Sequence, residues 1–216
     1  MNERRGCASP TGRPAAESDA SLGGVIFDCD GTLVDTMPLH FRAWRQALQA
    51  TPLEFEEALF YELGGVPSTA IVQILNDRFH MSLDPDAIAG YKEKIFMDLL
   101  PQAQPIPQVI DLVHEYAGRY PMAVASGGLR SIVIRILDAL GITHLFQVIA
   151  TAEDVVHGKP APDLFLFAAR GLGVAPDRCL VYEDSPLGLE AARRAGMKGI
   201  DIRSLPELSS AARDTT

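Results

Sequence analysis

The stretch that decides the fold is GGVIFDCDGTLVDT, residues 23–36. Its apolar run, Val25–Phe27, has the character of a strand buried on both faces of a parallel sheet. Residues two apart point to the same side of an extended backbone, so we expect Asp28 and Asp30 to project together past the strand end, where open α/β sheets bind ligands. Gly31 then permits a turn and lets a ligand approach the backbone. The stretch therefore predicts a strand that carries two carboxylates into a binding site.

Four further β-rich runs predict the other strands of the same sheet. With the first, the predicted strands are Gly24–Asp28, Met122–Ser126, Gln147–Ala150, Cys179–Glu183 and Gly199–Ile202. Segments with apolar residues at helical spacing separate the later runs, and we expect Gly141 and Gly171 to end two of these helices. Alternation of strand and helix is typical of right-handed βαβ units. The predicted fold class is α/β, with a doubly wound parallel sheet.

A long helical stretch lies between the first and second predicted strands. Its pattern predicts four helices, at residues 39–49, 54–63, 68–79 and 85–100. The stretch is too long for a single crossover helix and prolines flank it, so we expect an inserted cap with two stiff connections. The predicted domains are a disordered leader at 1–20, an α/β core at 21–37 and 105–216, and an α-helical cap at 38–104.

Composition narrows the class of protein. The chain has 216 residues, enough for one core with a smaller insert, and a formal net charge of -9, which argues against a nucleic-acid or membrane partner. No apolar stretch approaches membrane-spanning length, and residues 1–20 lack the apolar centre of a signal peptide. Cys7, Cys29 and Cys179 show neither metal-ligand spacing nor a paired framework, which favours a reducing compartment. We therefore expect a cytoplasmic protein.

Polar groups also follow three of the later predicted strands. Ser126 and the Gly127 amide stand at a predicted helix start, where they could bind an anion, although the same pattern is often a simple helix cap. Lys159 precedes a proline, which biases it to an extended backbone outside the next helix. Glu183 and Asp184 end another apolar run next to a predicted helix start, a pattern that is also typical of a helix cap. Asp28 and Asp30 repel each other when close, so a cation beside them is expected.

These motifs resemble, in order, those of the haloacid-dehalogenase superfamily of phosphotransferases. DCDGTLVDT resembles its first signature, and MAVASGG, HGKPAPDLF and CLVYEDSPLGLEAARRAGM resemble the other three. The resemblance implies that Asp28 attacks phosphorus to form an aspartyl phosphate, and that Asp30 protonates the leaving alcohol and then activates water. It also implies that Ser126, Gly127 and Lys159 contact the phosphate. The implied Mg²⁺ ligands are Asp28, Asp184, the Asp30 backbone carbonyl and, through water, Glu183.

The helical insert resembles that of the subgroup with a small α-helical cap, which includes β-phosphoglucomutases and sugar-phosphate phosphatases. HFRAWRQAL resembles the β-phosphoglucomutase-like branch, and the closing stretch that begins HGKPAPDLFLF resembles bacterial fructose-1-phosphate phosphatases of that branch. The resemblance implies that His40 lies near Asp30 and couples cap closure to proton transfer, and that Lys92 contacts the sugar phosphate. Arg130 follows Ser126 by one helical turn, where it could meet a substrate oxyanion. The alternatives are a structural histidine, a solvated lysine and a surface arginine.

Ser68 bears on the choice between two reactions. In β-phosphoglucomutases a cap-loop arginine binds the distal phosphate, and GGVPSTA has Ser68 in its place. Without that arginine, water should intercept the aspartyl phosphate more readily. We therefore predict a monomeric Mg²⁺-dependent phosphatase of small sugar phosphates, with β-phosphoglucomutase as the alternative. Two alternatives come from other classes: a phospho-accepting receiver module, which lacks such a helical insert, and a sugar-phosphate-binding protein, which would not need every catalytic position filled.

Overall fold

A five-stranded parallel sheet forms the core of the computed structural model, which describes residues 21–64 and 66–205. The strands of this part of the chain are β1 Gly24–Phe27, β2 Val34–Asp35, β3 Gln104–Pro105, β4 Met122–Ala125, β5 Val148–Ala150, β6 Cys179–Glu183 and β7 Lys198–Asp201. In the sheet the order is β5–β4–β1–β6–β7, so β1 lies at the centre and pairs with both β4 and β6. Each predicted strand is present, with its bounds shifted by at most one residue.

Helices cover both faces of this sheet. Those described are α1 Met37–Ala47, α2 Glu57–Glu62, α3 Ser68–Phe79, α4 Pro85–Leu99, α5 Pro107–Tyr116, α6 Arg130–Ala139, α7 Asp163–Leu172 and α8 Pro186–Arg194. Val25 and Phe27 of β1 share an apolar cluster with residues of α5 and α6, whereas Ile26 packs with residues of α7 and α8. Because successive strand residues face opposite sides, a continuous apolar run is what a strand covered on both faces requires. The predicted α/β class is confirmed.

The segment between β2 and β3 has an apolar cluster of its own. Trp44, Leu48, Phe60, Val72 and Leu75 are buried there. Helix α4 packs against both α1 and α3, and β2 pairs antiparallel with β3 where the segment leaves and rejoins the rest of the chain. The four predicted helices correspond to α1–α4, with bounds shifted by up to three residues. The β2–β3 pair carries no sequence signal, because strands of two residues are too short for a periodic pattern.

Helix α7 runs past its expected end. The prediction that Gly171 ends it is wrong: Gly171 lies inside the helix, and Gly173, at φ 68°, follows the last turn. A Cβ at position 171 would lie 2.7 Å from Cγ2 of Val148, so this glycine allows the helix to approach β5 closely. Gly141, at φ 69°, does follow the last turn of α6 as predicted. The two glycines therefore meet different needs, close packing and helix termination.

Short connections complete the described part of the chain. Single turns of 3-10 helix occur at Leu100–Gln102, Thr143–Leu145, Ala152–Asp154, Pro176–Arg178 and Ile202–Ser204. Among residues 21–64 and 66–205, no helix has both the length and the apolarity needed to cross a bilayer. Cys29 and Cys179 are buried free thiols. The predicted leader at 1–20, Cys7 and the predicted core beyond residue 205 lie outside the described residues.

Candidate active site

Three neighbouring strands end at one edge of the sheet, and each places a buried polar residue there. Asp28 follows β1, Ser126 follows β4, and Glu183 is the last residue of β6. The strands are parallel and adjacent, so their carboxyl ends meet, which is where open α/β sheets bind ligands. An open depression of about 340 Å³ beside α7 contains none of these residues. The chemistry of the side chains, rather than cavity size, identifies the candidate site.

An acidic cluster, formed by Asp28, Glu183 and Asp184, occupies this edge. One carboxylate oxygen of each lies within 4.8 Å of the others. Lys159 reaches the cluster from the loop before α7, with Nζ 2.6 Å from Oδ1 of Asp28 and 2.5 Å from Oε1 of Glu183. When all three carboxylates are ionised, they exceed the single ammonium group by two negative charges in a largely buried site. A divalent cation would balance that excess.

The pKa values of the cluster reflect burial and the crowding of like charges. Burial raises the pKa of Asp28 well above its usual value, Lys159 opposes this, and Glu183 and Asp184 raise it further. Burial and then Glu183 raise the pKa of Asp184 to about 6. For Lys159, the charges of Asp28 and Glu183 outweigh burial and raise the pKa. An all-oxygen donor set with excess negative charge fits Mg²⁺ better than zinc.

The turn after β1 determines how closely Asp184 can approach. Gly31 has φ 84°, and a Cβ built on it would overlap the Asp184 carboxylate, so a side chain is excluded there on both counts. Thr32 donates a hydrogen bond from Oγ1 to Oδ1 of Asp184 at 3.0 Å. Glu183 is held in a similar way, since the backbone N–H of Ser185 donates to its Oε2 at 2.6 Å. Gly31 therefore serves the acidic cluster, and its approach to a ligand stays a prediction.

Asp30 lies beside the cluster but has different partners. Thr36 donates a hydrogen bond from Oγ1 to Oδ1 of Asp30 at 2.7 Å, and Nε2 of His40 lies 3.3 Å from the same oxygen. Oγ of Ser126 donates to Oδ2 at 3.4 Å. Burial raises the pKa of Asp30, but the hydrogen bond and electrostatic interaction with His40, the hydrogen bond from Thr36 and the charge of Lys92 together outweigh it, so the pKa lies below its usual value. Asp30 is therefore an ionised carboxylate with both oxygens held in place.

The helical segment reaches Asp30 through His40 and Lys92. Nζ of Lys92, on α4, lies 2.9 Å from Nδ1 of His40, on α1, and 3.0 Å from Oε1 of Glu93. The His40 ring stacks on Phe96, with centroids 3.8 Å apart and ring planes at 9°. Burial and the charge of Lys92 lower the pKa of His40. The structure thus places His40 near Asp30 and buries Lys92, which excludes a solvated lysine, while the contact of Lys92 with substrate stays a prediction.

The loop after β4 differs from the sequence prediction. Helix α6 begins at Arg130, so Ser126 and Gly127 lie in a loop before the helix and not at its start. The N–H of Gly128 donates a 3.0 Å hydrogen bond to Oγ of Ser126, which tightens this loop. Arg130 directs its guanidinium group to Asp154, at 2.5 Å, and to a backbone carbonyl of β5. Contacts of Arg130 and Gly127 with substrate stay predictions.

Three side chains complete the site without having been assigned a role by the sequence: Thr32, Thr36 and Glu93. The two threonines follow the paired aspartates within residues 23–36, so hydroxyl groups next to that motif are a usable signal. Glu93 carries no such signal, because glutamate is common on helices. Only the packing of α4 against α1 places it beside the lysine that contacts His40.

Comparison with known proteins finds relatives that cover most of the chain. The family model for haloacid dehalogenase-like hydrolases matches residues 25–202. Fructose-1-phosphate phosphatase YqaB of Escherichia coli strain K12 is 41% identical over 183 residues, covering 84% of this chain and 97% of the relative. The phosphorylated carbohydrates phosphatase of Thermotoga maritima is 30% identical over 186 residues, covering 83% of this chain and 84% of the relative.

A solved structure gives the same result for the fold. The β-phosphoglucomutase of Clostridium difficile has a TM-score of 0.75 and 25% identity, and the match covers 83% of this chain and 84% of that one. The span of the family model includes the acidic cluster, Asp30, Ser126 and Lys159. The fold, the sheet edge where these residues meet and the extent of these matches lead to one conclusion. The chain belongs to the haloacid dehalogenase-like hydrolase family.

Proposed function

We propose that this protein is a Mg²⁺-dependent phosphatase that hydrolyses small sugar phosphates through an aspartyl-phosphate intermediate. The observation that carries the proposal is the position of Asp28, a buried carboxylate at the end of the central strand, paired with Lys159 and close to two further acids. The names of two relatives support the substrate class, since one refers to fructose 1-phosphate and the other to phosphorylated carbohydrates.

The acidic cluster is the proposed Mg²⁺ site. Its support is the all-oxygen donor set and the excess of negative charge around Lys159. The proposed ligands are the side chains of Asp28 and Asp184, the backbone carbonyl of Asp30 and, through water, Glu183. Bound there, Mg²⁺ would supply positive charge that offsets the repulsion between an anionic phosphate and the Asp28 carboxylate.

In the first step the phosphoryl group moves to Asp28. A carboxylate oxygen of Asp28 attacks phosphorus, and the bond between phosphorus and the alcohol oxygen of the substrate breaks. Lys159, the Ser126 hydroxyl and the Gly127 amide hold the phosphate oxygens. Asp30 gives the leaving alcohol a proton. Asp30 is ionised in the structure, so the negative charge of an incoming phosphate has to raise its proton affinity before it can act as the acid.

In the second step water releases the phosphate. Asp30 is a carboxylate once the alcohol has left, and it takes a proton from the water that attacks phosphorus. The bond between phosphorus and Asp28 breaks, which regenerates the nucleophile and yields inorganic phosphate. The hydrogen bonds of Asp30 with Thr36 and His40 suit this role, because they stabilise its ionised form.

We also propose that residues 38–104 act as a cap over the site, joined to a core whose described residues are 21–37 and 105–205. The support is the separate apolar cluster of this segment and the contact of its Lys92 with His40. Substrate contacts from Lys92 and Arg130 belong to the same proposal. A monomeric, cytoplasmic enzyme is the simplest case for a small metabolite, and the free thiols of Cys29 and Cys179 agree with a reducing compartment.

β-Phosphoglucomutase activity is the alternative with the same chemistry. At the cap position where the mutases carry an arginine, Ser68 donates a 2.8 Å hydrogen bond from Oγ to Oε1 of Glu93. A hydroxyl bonded to a carboxylate offers no positive charge to a second phosphate, which favours hydrolysis over transfer. A decisive assay supplies β-glucose 1-phosphate with a trace of the 1,6-bisphosphate. Glucose 6-phosphate formed in excess of free phosphate would overturn the phosphatase proposal.

The primary experiment is a phosphate-release screen over several dozen phosphorylated metabolites, with Mg²⁺ and with excess chelator. We expect many turnovers on at least one sugar monophosphate, no turnover with chelator, and recovery when Mg²⁺ is restored. Phosphorylation that stops at one equivalent per protein would indicate a receiver module. Binding without any release of phosphate would indicate a sugar-phosphate-binding protein.

A further inference from the structure

Glu93 belongs to a hydrogen-bonded chain that ends at Asp30, yet the mechanism above gives it no task. Its Oε1 lies 3.0 Å from Nζ of Lys92 and accepts the hydrogen bond from Ser68. From Lys92 the chain continues to His40 over 2.9 Å, and from His40 to Asp30 over 3.3 Å. A carboxylate of the helical segment is thus connected, through two side chains, to the group proposed to transfer the proton.

The ammonium group of Lys92 is almost fully buried, and the loss of water disfavours its charge. Its Nζ lies 5.2 Å from the ring centroid of Phe96 and 5.7 Å from that of Trp44, and these aromatic faces attract the cation but replace only part of the lost hydration. Burial lowers the pKa of Lys92, whereas Glu93 raises it. In the described part of the chain, Glu93 is the carboxylate in ion-pair contact with Lys92. Glu93 therefore stabilises the protonated form of this lysine.

A protonated Lys92 fixes the tautomer of His40. An ammonium group only donates hydrogen bonds, so Nδ1 of His40 has to accept, and the ring proton resides on Nε2. Nε2–H then donates to Oδ1 of Asp30, which leaves Oδ2, the oxygen facing Ser126, for the reacting proton. A neutral Lys92 would allow the opposite tautomer, whose bare Nε2 would repel the Asp30 carboxylate.

We propose that Glu93 is a positioning residue for proton transfer: it holds Lys92 as an ammonium ion, so that His40 presents an N–H to Asp30 and orients that carboxyl group toward the leaving alcohol. The inference rests on the proposed phosphatase function and deepens it. Its distinctive consequence is that the charge of Glu93, and not only its shape, affects the step in which the alcohol leaves.

A purely structural role has a different consequence. Through Ser68, Glu93 also connects the first residue of α3 to α4, and loss of that contact would loosen the helical segment for every substrate alike. The leaving group separates the two roles. An alkyl alcohol departs with the help of a proton from Asp30, whereas 4-nitrophenolate departs readily as an anion and gains little from a general acid.

The test compares Glu93→Gln with Ser68→Ala. Glutamine keeps the size and the acceptor oxygen but removes the charge, while Ser68→Ala keeps the charge and removes the contact with α3. Glu62→Gln is the matched control, because Glu62 is also a carboxylate of the helical segment, paired at 2.8 Å with the exposed Arg78. For each protein, kcat/KM is measured with saturating Mg²⁺ on a sugar phosphate that the wild type hydrolyses and on 4-nitrophenyl phosphate, together with Tm.

We expect Glu93→Gln to lower kcat/KM about tenfold on the sugar phosphate and less than about twofold on 4-nitrophenyl phosphate. Ser68→Ala and Glu62→Gln should keep the wild-type ratio between the two substrates. Equal losses on both substrates, no loss at all, or the same selective loss in Ser68→Ala would overturn the positioning role and leave the phosphatase function intact.

Two further outcomes are informative. If Glu93→Gln does not fold, Glu93→Ala replaces it, because it also removes the carboxylate that holds the Lys92 ammonium ion and must then show the same selectivity for the alkyl leaving group. An unselective loss in Glu93→Ala overturns the proposal. A wild-type protein that releases phosphate from no ester overturns the proposed function and, with it, the role of Glu93.

Discussion

Two buried lysines, one at the sheet edge and one in the helical segment, differ in what surrounds their charge. Lys159 lies between two carboxylates of the acidic cluster, whereas Lys92 lies between one carboxylate, Glu93, and the ring of His40. Each ammonium group is 5.2 Å from the centroid of a phenylalanine ring. Their pKa values nevertheless move in opposite directions: anionic neighbours raise that of Lys159 despite burial, and burial lowers that of Lys92 despite Glu93.

The comparison separates a fixed charge from one that is held less firmly. With two anionic neighbours, Lys159 keeps its proton and can neutralise a nucleophile and a phosphate through the whole reaction. Lys92 has one carboxylate in ion-pair contact, Glu93, and a weaker contribution from the charge of Asp30, so less anionic charge opposes the effect of burial. The charge of Lys159 is therefore held more firmly than that of Lys92.

Among the substitutions at the sheet edge, replacement of the proposed nucleophile, Asp28, should lower kcat the most. Asp28→Asn should lower kcat by at least about 10⁴, because an amide cannot attack phosphorus. Lys159 retains Glu183 as an anionic partner, so the fold should persist. Steady-state phosphate release and a thermal unfolding curve measure the two effects. Retained turnover in this variant would contradict the assignment of Asp28.

The second prediction concerns Asp30, which Lys92 reaches through His40. Asp30→Asn should lower kcat by about 10³, since neither the leaving alcohol nor the attacking water then has a proton-transfer partner. With a substrate whose leaving group needs no proton, phosphoenzyme should form and persist. Acid quenching followed by intact-protein mass measurement detects it. Rapid decay of that phosphoenzyme would exclude Asp30 as the base.

The fixed charge can be tested by Lys159→Met. We expect a loss of about 10² to 10³ in kcat/KM, and a loss of about 3 kcal/mol in the free energy of unfolding, because buried carboxylates remain without their cation. Mg²⁺ should reduce this loss of stability, since a bound divalent ion replaces the missing positive charge. When chelator removes the Mg²⁺, the full destabilisation should return. The measurement is chemical denaturation with and without Mg²⁺, and an identical loss under both conditions would count against the proposed metal site.

Lys92→Met tests the less firmly held charge in the same way. We expect a loss of about 30-fold in kcat/KM on a sugar phosphate. The free energy of unfolding should change by less than about 1 kcal/mol, because Glu93 is partly exposed and methionine can fill the space beside Trp44 and Phe96. Denaturation curves of the two methionine variants, measured side by side, show whether the lysines differ. Equal destabilisation by both substitutions would mean that the two lysines do not differ in how strongly the protein depends on their charge.

The core could be predicted from the sequence because each of its elements has a local cause. Val25–Phe27 predicts a buried strand by its apolar run, and paired aspartates after it predict a site at the strand end. Parallel topology then brings Asp184 and Lys159 to the same edge, although they lie far away in the chain. For this reason the carboxylates of the separate motifs lie close together, although the local sequence pattern contains no information about long-range contacts.

The helical side could be predicted only in outline. Its four helices follow from apolar spacing, but the chain from Glu93 to His40 depends on how α4 packs against α1, which no local pattern encodes. The same limit explains the wrong prediction for Gly171. In the sequence, a glycine late in a helical pattern indicates the end of the helix, and only the structure shows that this one packs against Val148. Arg130 likewise pairs with Asp154, a partner that the sequence did not indicate.

The smallest expected effect distinguishes the two lysines by their aromatic neighbours. Phe96→Leu and Phe165→Leu should each lower the free energy of unfolding by about 1 kcal/mol, as volume-reducing changes in a packed site. Phe96→Leu also removes the ring on which His40 stacks, so kcat/KM should fall about threefold on a sugar phosphate. Phe165→Leu should leave kcat/KM near the wild-type value, because two carboxylates hold Lys159 without help from the ring. An equal kinetic loss in both variants would mean that packing alone, and not the number of anionic partners, positions the two lysines.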